Sequence, residues 1–313
     1  MATVSRALNS PALVSPDTLQ RVQAAILRTG YVPNRLAGGL ASNRSRLVAT
    51  IVPSITSPIF ASCVQAIIDT LSVAGYEVIL GQCGYSALRE EELVAAVISR
   101  RPDGIIIFGT DHTNLTRRRL IGGGLPVAEV WDLSPHPIDM LVGFSHERVG
   151  AAVADFLHEG GKRRPGLITA NNSRALQRVA GSLAAFKRLG IADVPVKVLT
   201  PVATPGEARA ALAELLAQYP DLDAVACSSD LLALGAIIEA QARSLRVPDQ
   251  LAVVGFGDLN FAADVVPSLT TVRVGAAEIG ETAARFIIDK LAGRPIAATS
   301  LDVAFAIVRR ASA

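Results

Sequence analysis

The sequence is poor in cysteine and in aromatic residues. Its 313 residues include three cysteines, Cys63, Cys83 and Cys227, which lie far apart in apolar stretches. An odd number of widely spaced cysteines argues against a disulfide framework and predicts small buried side chains instead. The sequence also lacks an apolar run of the roughly 18–20 residues that a membrane-spanning helix needs, and it lacks the start of a signal peptide. We therefore expect a soluble, cytoplasmic protein.

Motifs of enzyme chemistry are absent as well. There is no phosphate-binding G-x-x-x-x-G-K-[ST] sequence and no G-x-S-x-G nucleophile motif. The four histidines do not occur at metal-ligand spacing; they are His112, His136, His146 and His158. The acidic run Glu90–Glu92 is typical of a solvated helix face. We expect neither catalysis nor a bound metal or cofactor.

Acidic residues are almost missing from the first 46 residues. This segment contains six of the 30 basic residues and one of the 28 acidic residues, so its net charge is +5. The remaining 267 residues contain 24 basic and 27 acidic residues, a net charge of −3. Such a separation predicts a module that binds a polyanion, attached to a larger domain of a different kind.

The basic segment also contains helix signals. Thr3–Asn9 has the spacing of a short helix, with polar residues available on the face away from its apolar pair. A second helix is predicted from Ser15, a favourable N-cap, with Pro16 at its first position. Gly30 ends that helix, because glycine is the common residue after a helix C-terminus. Two short helices joined by a turn fit part of a helix-turn-helix motif.

From Leu47 onward, short β-branched runs alternate with amphipathic helical runs. The run Gly104–Phe108 (GIIIF) is typical of a parallel strand that is buried on both faces. Some ten such units, the last a strand near Leu301–Val308, predict an α/β fold with two doubly wound parallel sheets. Two lobes then enclose a cleft, in which ligands lie at the carboxyl ends of the strands.

Polar and aromatic residues follow the predicted strands at the end that should face the cleft. A loop or capping role is equally open for each one alone, but together they form a set of candidate ligand contacts. These candidates are Ser54, Thr56, Phe60, Thr110, His112, Trp131, Asp132, Arg174, Arg178, Ser229, Asp230 and Gly257.

Two arginines of this set indicate the charge of the ligand. Arg174 and Arg178 are four residues apart, so both can project from one face of a helix start. Arginine is suited to a bidentate hold on a carboxylate or phosphate. The pair therefore predicts an acidic ligand, with an ordinary salt bridge as the alternative for Arg174.

The segments TVSRALN and LVSPDTLQRVQAAILRTGYVPNRLAGGL resemble the DNA-binding headpiece and hinge of the LacI/GalR family of bacterial transcription regulators. The resemblance continues to the C-terminus and implies a periplasmic-binding-protein-like core after a partial helix-turn-helix headpiece and hinge. It implies a headpiece at 1–32, a hinge at 33–46 and an effector-binding and dimerisation domain at 47–313. The expected N-lobe is about 47–144 and 274–301, and the C-lobe about 145–273 and 302–313. Crossings are expected near Gly143–His146, Leu269–Val274 and Ser300–Asp302.

The resemblance also implies how DNA is bound. The residues that it implies to face the operator duplex are Thr3, Ser5, Arg6 and Asn9 in the headpiece and Asn34, Arg35 and Leu40 in the hinge. Leu40 is at the position of the leucine that wedges into the minor groove. The family's headpiece has a helix ahead of the TVSR segment, which we expect either upstream of Met1 or lost. No heptad tail follows the last strand, so a homodimer is expected.

Finally, the resemblance suggests an effector. The segments VPSITSPIFA, GYEVILGQCGYS and LVGFSHERVGAA are most similar to the gluconate-repressor branch. Many sugar repressors of the family carry an aspartate at the position of Gly257, and its absence here favours an acidic effector. These features predict a transcriptional regulator, most simply a repressor, controlled by a sugar acid such as gluconate or a keto-derivative. The alternative is a sugar- or sugar-acid-binding protein without specific DNA binding.

Overall fold

The computed structural model describes residues 2–9, 11–31 and 44–313. The chain divides into two compact units, Met1–Ser45 and Arg46–Ala313. All three cysteines are buried free thiols, as their apolar surroundings predict.

The amino-terminal unit contains helices α1 (Ala2–Asn9) and α2 (Pro16–Thr29), with a short 3-10 turn between them. Pro16 starts α2 without loss of a hydrogen bond, and Gly30 follows it with a left-handed φ of 63°. Ser15 has the extended backbone of an N-cap residue, but its hydroxyl donates to Oγ1 of Thr18 at 2.9 Å. The predicted side-chain cap is therefore not formed.

This unit buries little apolar surface. Among its described side chains only Ala7 is buried, whereas Leu13 and Leu27 are largely exposed. A short helix pair with so small a core gains little stability from packing.

The N-lobe of the second unit is a parallel six-stranded sheet in the order β11-β5-β4-β3-β1-β2. Its strands are β1 (Leu47–Val52), β2 (Glu77–Gln82), β3 (Gly104–Phe108), β4 (Val127–Trp131), β5 (Met140–Gly143) and β11 (Ser300–Asp302). Its helices are α3 (Pro58–Val73), α4 (Ala87–Ile98), α5 (Asn114–Gly122) and α10 (Ala276–Leu291). Every residue of β3 is buried, as expected for a central strand covered on both faces.

The C-lobe is a second six-stranded sheet in the order β12-β10-β9-β8-β6-β7, in which only the β10–β12 pair is antiparallel. Its strands are β6 (Pro165–Ala170), β7 (Val196–Leu199), β8 (Ala224–Cys227), β9 (Ala252–Phe256), β10 (Thr270–Val274) and β12 (Phe305–Val308). Its helices are α6 (His146–Glu159), α7 (Ser173–Arg188), α8 (Pro205–Gln218) and α9 (Asp230–Ala242). No helix in the described part of the chain is both long and apolar enough to cross a membrane.

The chain passes between the two sheets after β5, after β10 and after β11. The predicted single strand near Leu301–Val308 is wrong: Ser300–Asp302 pairs with β5 in one lobe and Phe305–Val308 with β10 in the other. The stretch Leu269–Val274 was expected as a crossing. It contains β10, a strand of the C-lobe sheet, so the crossing comes after it.

Glycines let neighbouring helices touch through their backbones. A Cβ atom on Gly150 of α6 would overlap the carbonyl oxygen of Arg178 in α7, and one on Gly280 of α10 would overlap that of Cys63 in α3. Both helix pairs thus pack at a distance that only glycine permits.

We predict that Gly280→Ala lowers the free energy of unfolding by about 1–3 kcal/mol, the usual cost of overpacking, because backbone rather than a flexible side chain must move. Urea denaturation measures the change. Gly122→Ala in the last turn of α5 is the matched control, since its Cβ would meet open space. Equal stability of the two variants would contradict the close approach of α3 and α10.

Candidate ligand cleft and nucleic-acid-binding segment

A cavity opens between the lobes at the carboxyl ends of the strands, and we call it the inner cavity. Its wall combines the loop that leads into α3 with the start of α7 and the ends of β8 and β9. The side chains used below that line it are Thr56, Phe60, Trp131, His146, Arg174, Arg178, Ser229 and Phe256.

Aromatic rings form its apolar floor. The ring of Trp131 lies 5.0 Å from that of Phe60 and 5.7 Å from that of Phe144, both edge to face. Trp131 has a φ of 82°, a strained value for a residue with a large side chain. Such strain is retained where surrounding packing fixes a residue at a functional site.

Arg174 reaches across the cleft from the C-lobe. It stands in the first turn of α7, which Asn172 caps by accepting from the backbone N–H of Ala175 at 3.1 Å. Its Nε lies 3.0 and 3.1 Å from the two carboxylate oxygens of Asp132 in the N-lobe. A Cβ on Gly109 would stand 2.7 Å from its Nη2, so a side chain at that position would displace the guanidinium group.

Arg178, one turn later in α7, forms no ion pair with a carboxylate in the part of the chain that the structure describes. Its Nη1 lies 2.8 Å from Nδ1 of His146, and its Nη2 donates to the carbonyl of Ser228 at 3.0 Å. The guanidinium carbon lies 3.9 Å from the centre of the Phe256 ring. Burial, with a smaller effect of Arg174, lowers the pKa of Arg178 to about 9, so the group is charged at neutral pH.

Two further groups complete the network. Burial would raise the pKa of Asp132, but Arg174 and His146 outweigh it and lower the pKa to about 2. Burial lowers the pKa of His146 to about 4, with Arg178 acting in the same direction against Asp132. At neutral pH two positive groups therefore face one carboxylate and a neutral imidazole. No aspartate or glutamate lines the inner cavity among the described residues.

A second, outer cavity lies on the other side of Arg174. Both lobes contribute to its wall, which includes Tyr85, Glu90, Asp111, His112, Asp132, Asn171 and Arg174. The predicted solvated position of Glu90 is wrong, because its Oε1 lies 2.7 Å from Nδ1 of His112 and its side chain is 11% exposed. Glu129 lies on the other side of the ring, 3.6 Å from Nε2. Burial would lower the pKa of His112, but these carboxylates raise it to about 9.

Comparison with known proteins agrees with this architecture. Residues 1–34 match the bacterial regulatory proteins of the lacI family, and residues 154–313 match the periplasmic binding protein-like domain. The HTH-type transcriptional regulator GntR of Pseudomonas aeruginosa is 36% identical, over 99% of this chain and 91% of that protein. A LacI family regulator from Silicibacter pomeroyi has a similar structure, with a TM-score of 0.94 and 30% identity, over 99% of this chain and 95% of that one. The structure of the regulator GntR from Chromobacterium violaceum has a TM-score of 0.82 and 34% identity, over 85% of this chain and 98% of that one.

The chain belongs to the LacI family of bacterial transcription regulators. Its relatives are HTH-type regulators and not enzymes, which confirms the prediction that the chain is not an enzyme. The expected two-lobed, periplasmic-binding-protein-like fold is confirmed as well.

The structure brings part of the predicted effector set of this LacI-family chain together. Thr56, Phe60, Trp131, Arg174, Arg178 and Ser229 line the inner cavity, whereas His112 and Asp132 line the outer one. The remaining four, which line neither cavity, are Ser54, Thr110, Asp230 and Gly257.

The structure shows why three of these four residues do not line a cavity, and it shows no reason for Thr110. The hydroxyl of Ser54 bonds to that of Thr56 at 2.9 Å, so it supports a lining residue. Asp230 is fully buried, where its carboxylate accepts from the N–H of Leu259 at 2.7 Å and from a threonine hydroxyl. Gly257 lies behind Ile59, whose Cδ1 would be 3.3 Å from a Cβ at that position.

Sequence reasoning missed several lining residues. His146 and Tyr85 were not among the candidates, although His146 ends an expected crossing and Tyr85 lies three residues after the predicted strand that ends at Gln82. The signal that pointed to His146 was its place at the expected crossing Gly143–His146.

In the DNA-binding segment, Thr3 and Arg6 are exposed on α1. Ser5 and Asn9 also belong to α1, but the structure does not describe their side chains. The hinge candidates Asn34, Arg35 and Leu40 lie outside the described residues. All seven assignments remain predictions.

The His112 cluster makes stability depend on pH. The folded chain keeps a proton on His112 up to a pKa of about 9, whereas the unfolded chain loses it near the ordinary value of 6.5. Stability from this source is complete below pH 6.5 and is lost as the pH rises through 9. We predict a decrease of up to about 3 kcal/mol over that range, since one pKa unit is 1.36 kcal/mol.

Urea denaturation at several pH values between those limits measures the decrease. His112→Gln is expected to remove it, while His136→Gln, at an exposed position, keeps it. A stability difference between wild type and His112→Gln that does not vary with pH would contradict the prediction.

Proposed function

We propose that this LacI-family regulator responds to a sugar acid, such as gluconate or a keto-derivative, bound in the inner cavity. The observation that carries the proposal is Arg178, a half-buried cation that pairs with no carboxylate among the described residues, in a cavity whose described lining contains no acidic residue. A carboxylate on the ligand supplies the missing negative charge.

Charge decides between an acid and a neutral sugar. A buried charge left without an opposite partner costs several kcal/mol, and a neutral ligand that displaces water from Arg178 would increase that cost. An acid instead gains charge-assisted hydrogen bonds, which are about twice as strong as neutral ones. The hydroxyl groups of Thr56 and Ser229, in the same wall, are suited to the hydroxyl groups of such a ligand.

DNA is the second partner in this proposal. The basic segment binds an operator duplex through α1, on which Thr3 and Arg6 are exposed. The chain acts as a homodimer in the cytoplasm, where the operator is found. Effector binding changes the affinity for the operator, and the size of the change is limited by the difference in effector affinity between the conformation that binds DNA well and the one that binds it poorly.

We predict that Arg178→Met weakens binding of D-gluconate by about 2 kcal/mol or more, some thirtyfold, because one partner of a buried charge pair is removed. Isothermal titration calorimetry measures the affinity, with D-glucose as the neutral comparison. Arg188→Met is the matched control, since Arg188 lies on the same helix but is exposed and pairs with Asp155.

Wild-type protein that binds D-glucose tightly and does not bind gluconate or 2-ketogluconate would overturn the sugar-acid assignment. It would leave the family membership untouched.

A second prediction concerns Arg6. Arg6→Ala is expected to weaken operator binding and to reduce the slope of log Kobs against log salt by about 1, because one phosphate contact is lost. Fluorescence anisotropy across a salt series measures both quantities, with Arg118→Ala, at an exposed arginine of α5, as the control. An unchanged slope would show that Arg6 does not contact the backbone of the duplex.

A further inference from the structure

His146 stands where the chain first passes from one lobe to the other. It is the first residue of α6, directly after the loop that leaves β5, and it is 2% exposed. Its ring lies 4.6 Å from that of Phe144 and 6.4 Å from that of Phe256. A polar ring thus lies between two phenyl rings at the wall of the cleft.

The two ring nitrogens of His146 face opposite kinds of group. Nδ1 lies 2.8 Å from Nη1 of Arg178, and Nε2 lies 3.0 Å from Oδ1 of Asp132. A guanidinium group only donates hydrogen bonds, so Nδ1 must be the acceptor, and the proton of the neutral ring must be on Nε2, the nitrogen nearer Asp132.

We propose that His146 is the positioning residue of the effector site: a neutral imidazole that holds Arg178 from one lobe and Asp132 from the other, so that the two cleft arginines act as one receptor for a single carboxylate. This inference rests on the proposed function.

The contacts form a continuous chain from one arginine to the other. Arg178 donates to Nδ1 of His146, Nε2 of His146 lies 3.0 Å from Oδ1 of Asp132, and Asp132 accepts from Arg174. Among the described residues, Arg178 and Asp132 are the charged side chains that form a hydrogen bond or an ion pair with the ring. A ligand carboxylate that binds Arg178 therefore affects the inter-lobe pair Asp132–Arg174 through the side chain of His146.

Neutrality of the ring is part of this role. Burial and Arg178 lower the pKa of His146 to about 4 against the opposing effect of Asp132. The cluster of Arg174, Arg178, Asp132 and neutral His146 has a net charge of +1, which one carboxylate balances.

The first experiment needs no effector. Nitrogen-15 NMR of the imidazole rings, with His146→Gln used to assign the signal, is expected to show a neutral ring protonated on Nε2 at pH 6. Arg178→Met should raise the pKa of His146, and Asp132→Asn should lower it. A proton on Nδ1, or a titration near the ordinary value of 6.5, would overturn the proposal even if gluconate does not bind.

The second experiment separates the two contacts. His146→Asn places an acceptor near the position of Nδ1 and keeps the contact with Arg178, whereas His146→Gln places a donor near that of Nε2 and keeps the contact with Asp132. Each variant, with a melting temperature near that of wild type, is expected to bind gluconate at least tenfold more weakly by calorimetry. Wild-type affinity in either folded variant would contradict the proposal.

A double-mutant cycle tests the coupling itself. The effects of Arg178→Lys and Asp132→Asn on gluconate affinity should be non-additive by a factor of five or more in the wild-type background and additive in both His146 variants. Non-additivity that survives without His146 would assign the coupling to direct electrostatics and overturn the relay. If wild type binds no sugar acid, the proposed effector fails, while the NMR result still decides the role of His146.

Discussion

The cleft depends on a guanidinium group that the fold encloses without giving it a carboxylate. Arg178 has a histidine nitrogen, a carbonyl oxygen and an aromatic face as partners, and none of these carries a negative charge. The nearby carboxylate of Asp132 is already held by Arg174. An unbalanced positive charge in a partly apolar cavity favours an anionic ligand, and the proposed effector follows from it.

The two-sheet architecture makes this arrangement possible. Parallel strands end at one edge of each sheet, so loops of both lobes meet at the cleft. Helix α7 brings both arginines from the C-lobe, while the end of β4 brings Asp132 from the N-lobe. Gly109, with a φ of 108°, leaves the space into which Arg174 extends. The Arg174–Asp132 pair thus joins the two lobes at the wall of the cleft, where a ligand that favours one arrangement of the lobes can shift it.

The alternating strands and helices, and the two arginines of the cleft, could be predicted from the sequence, because strand burial and helix periodicity are local properties. Pairs formed by residues far apart in the sequence could not be predicted in the same way. Glu90 belongs to a stretch with the pattern of an exposed helix face, yet its side chain is largely buried because it pairs with His112. Asp230 follows a strand end like a ligand contact, but the N–H of Leu259 and a threonine hydroxyl engage its carboxylate. The split of Leu301–Val308 between two sheets depends on where β5 and β10 end, which no local pattern shows.

The central measurement is whether a sugar acid bound in the cleft changes the affinity of the protein for operator DNA. Anisotropy of a labelled duplex, selected from random sequences by the protein, is followed while D-gluconate or 2-ketogluconate is added, with wild type and Arg178→Met compared. We expect a change in operator affinity of roughly 5- to 150-fold for wild type, the usual range of coupling between sites, and little change for the variant. Operator affinity that is the same with and without these acids, in protein that binds them, would contradict the proposed function.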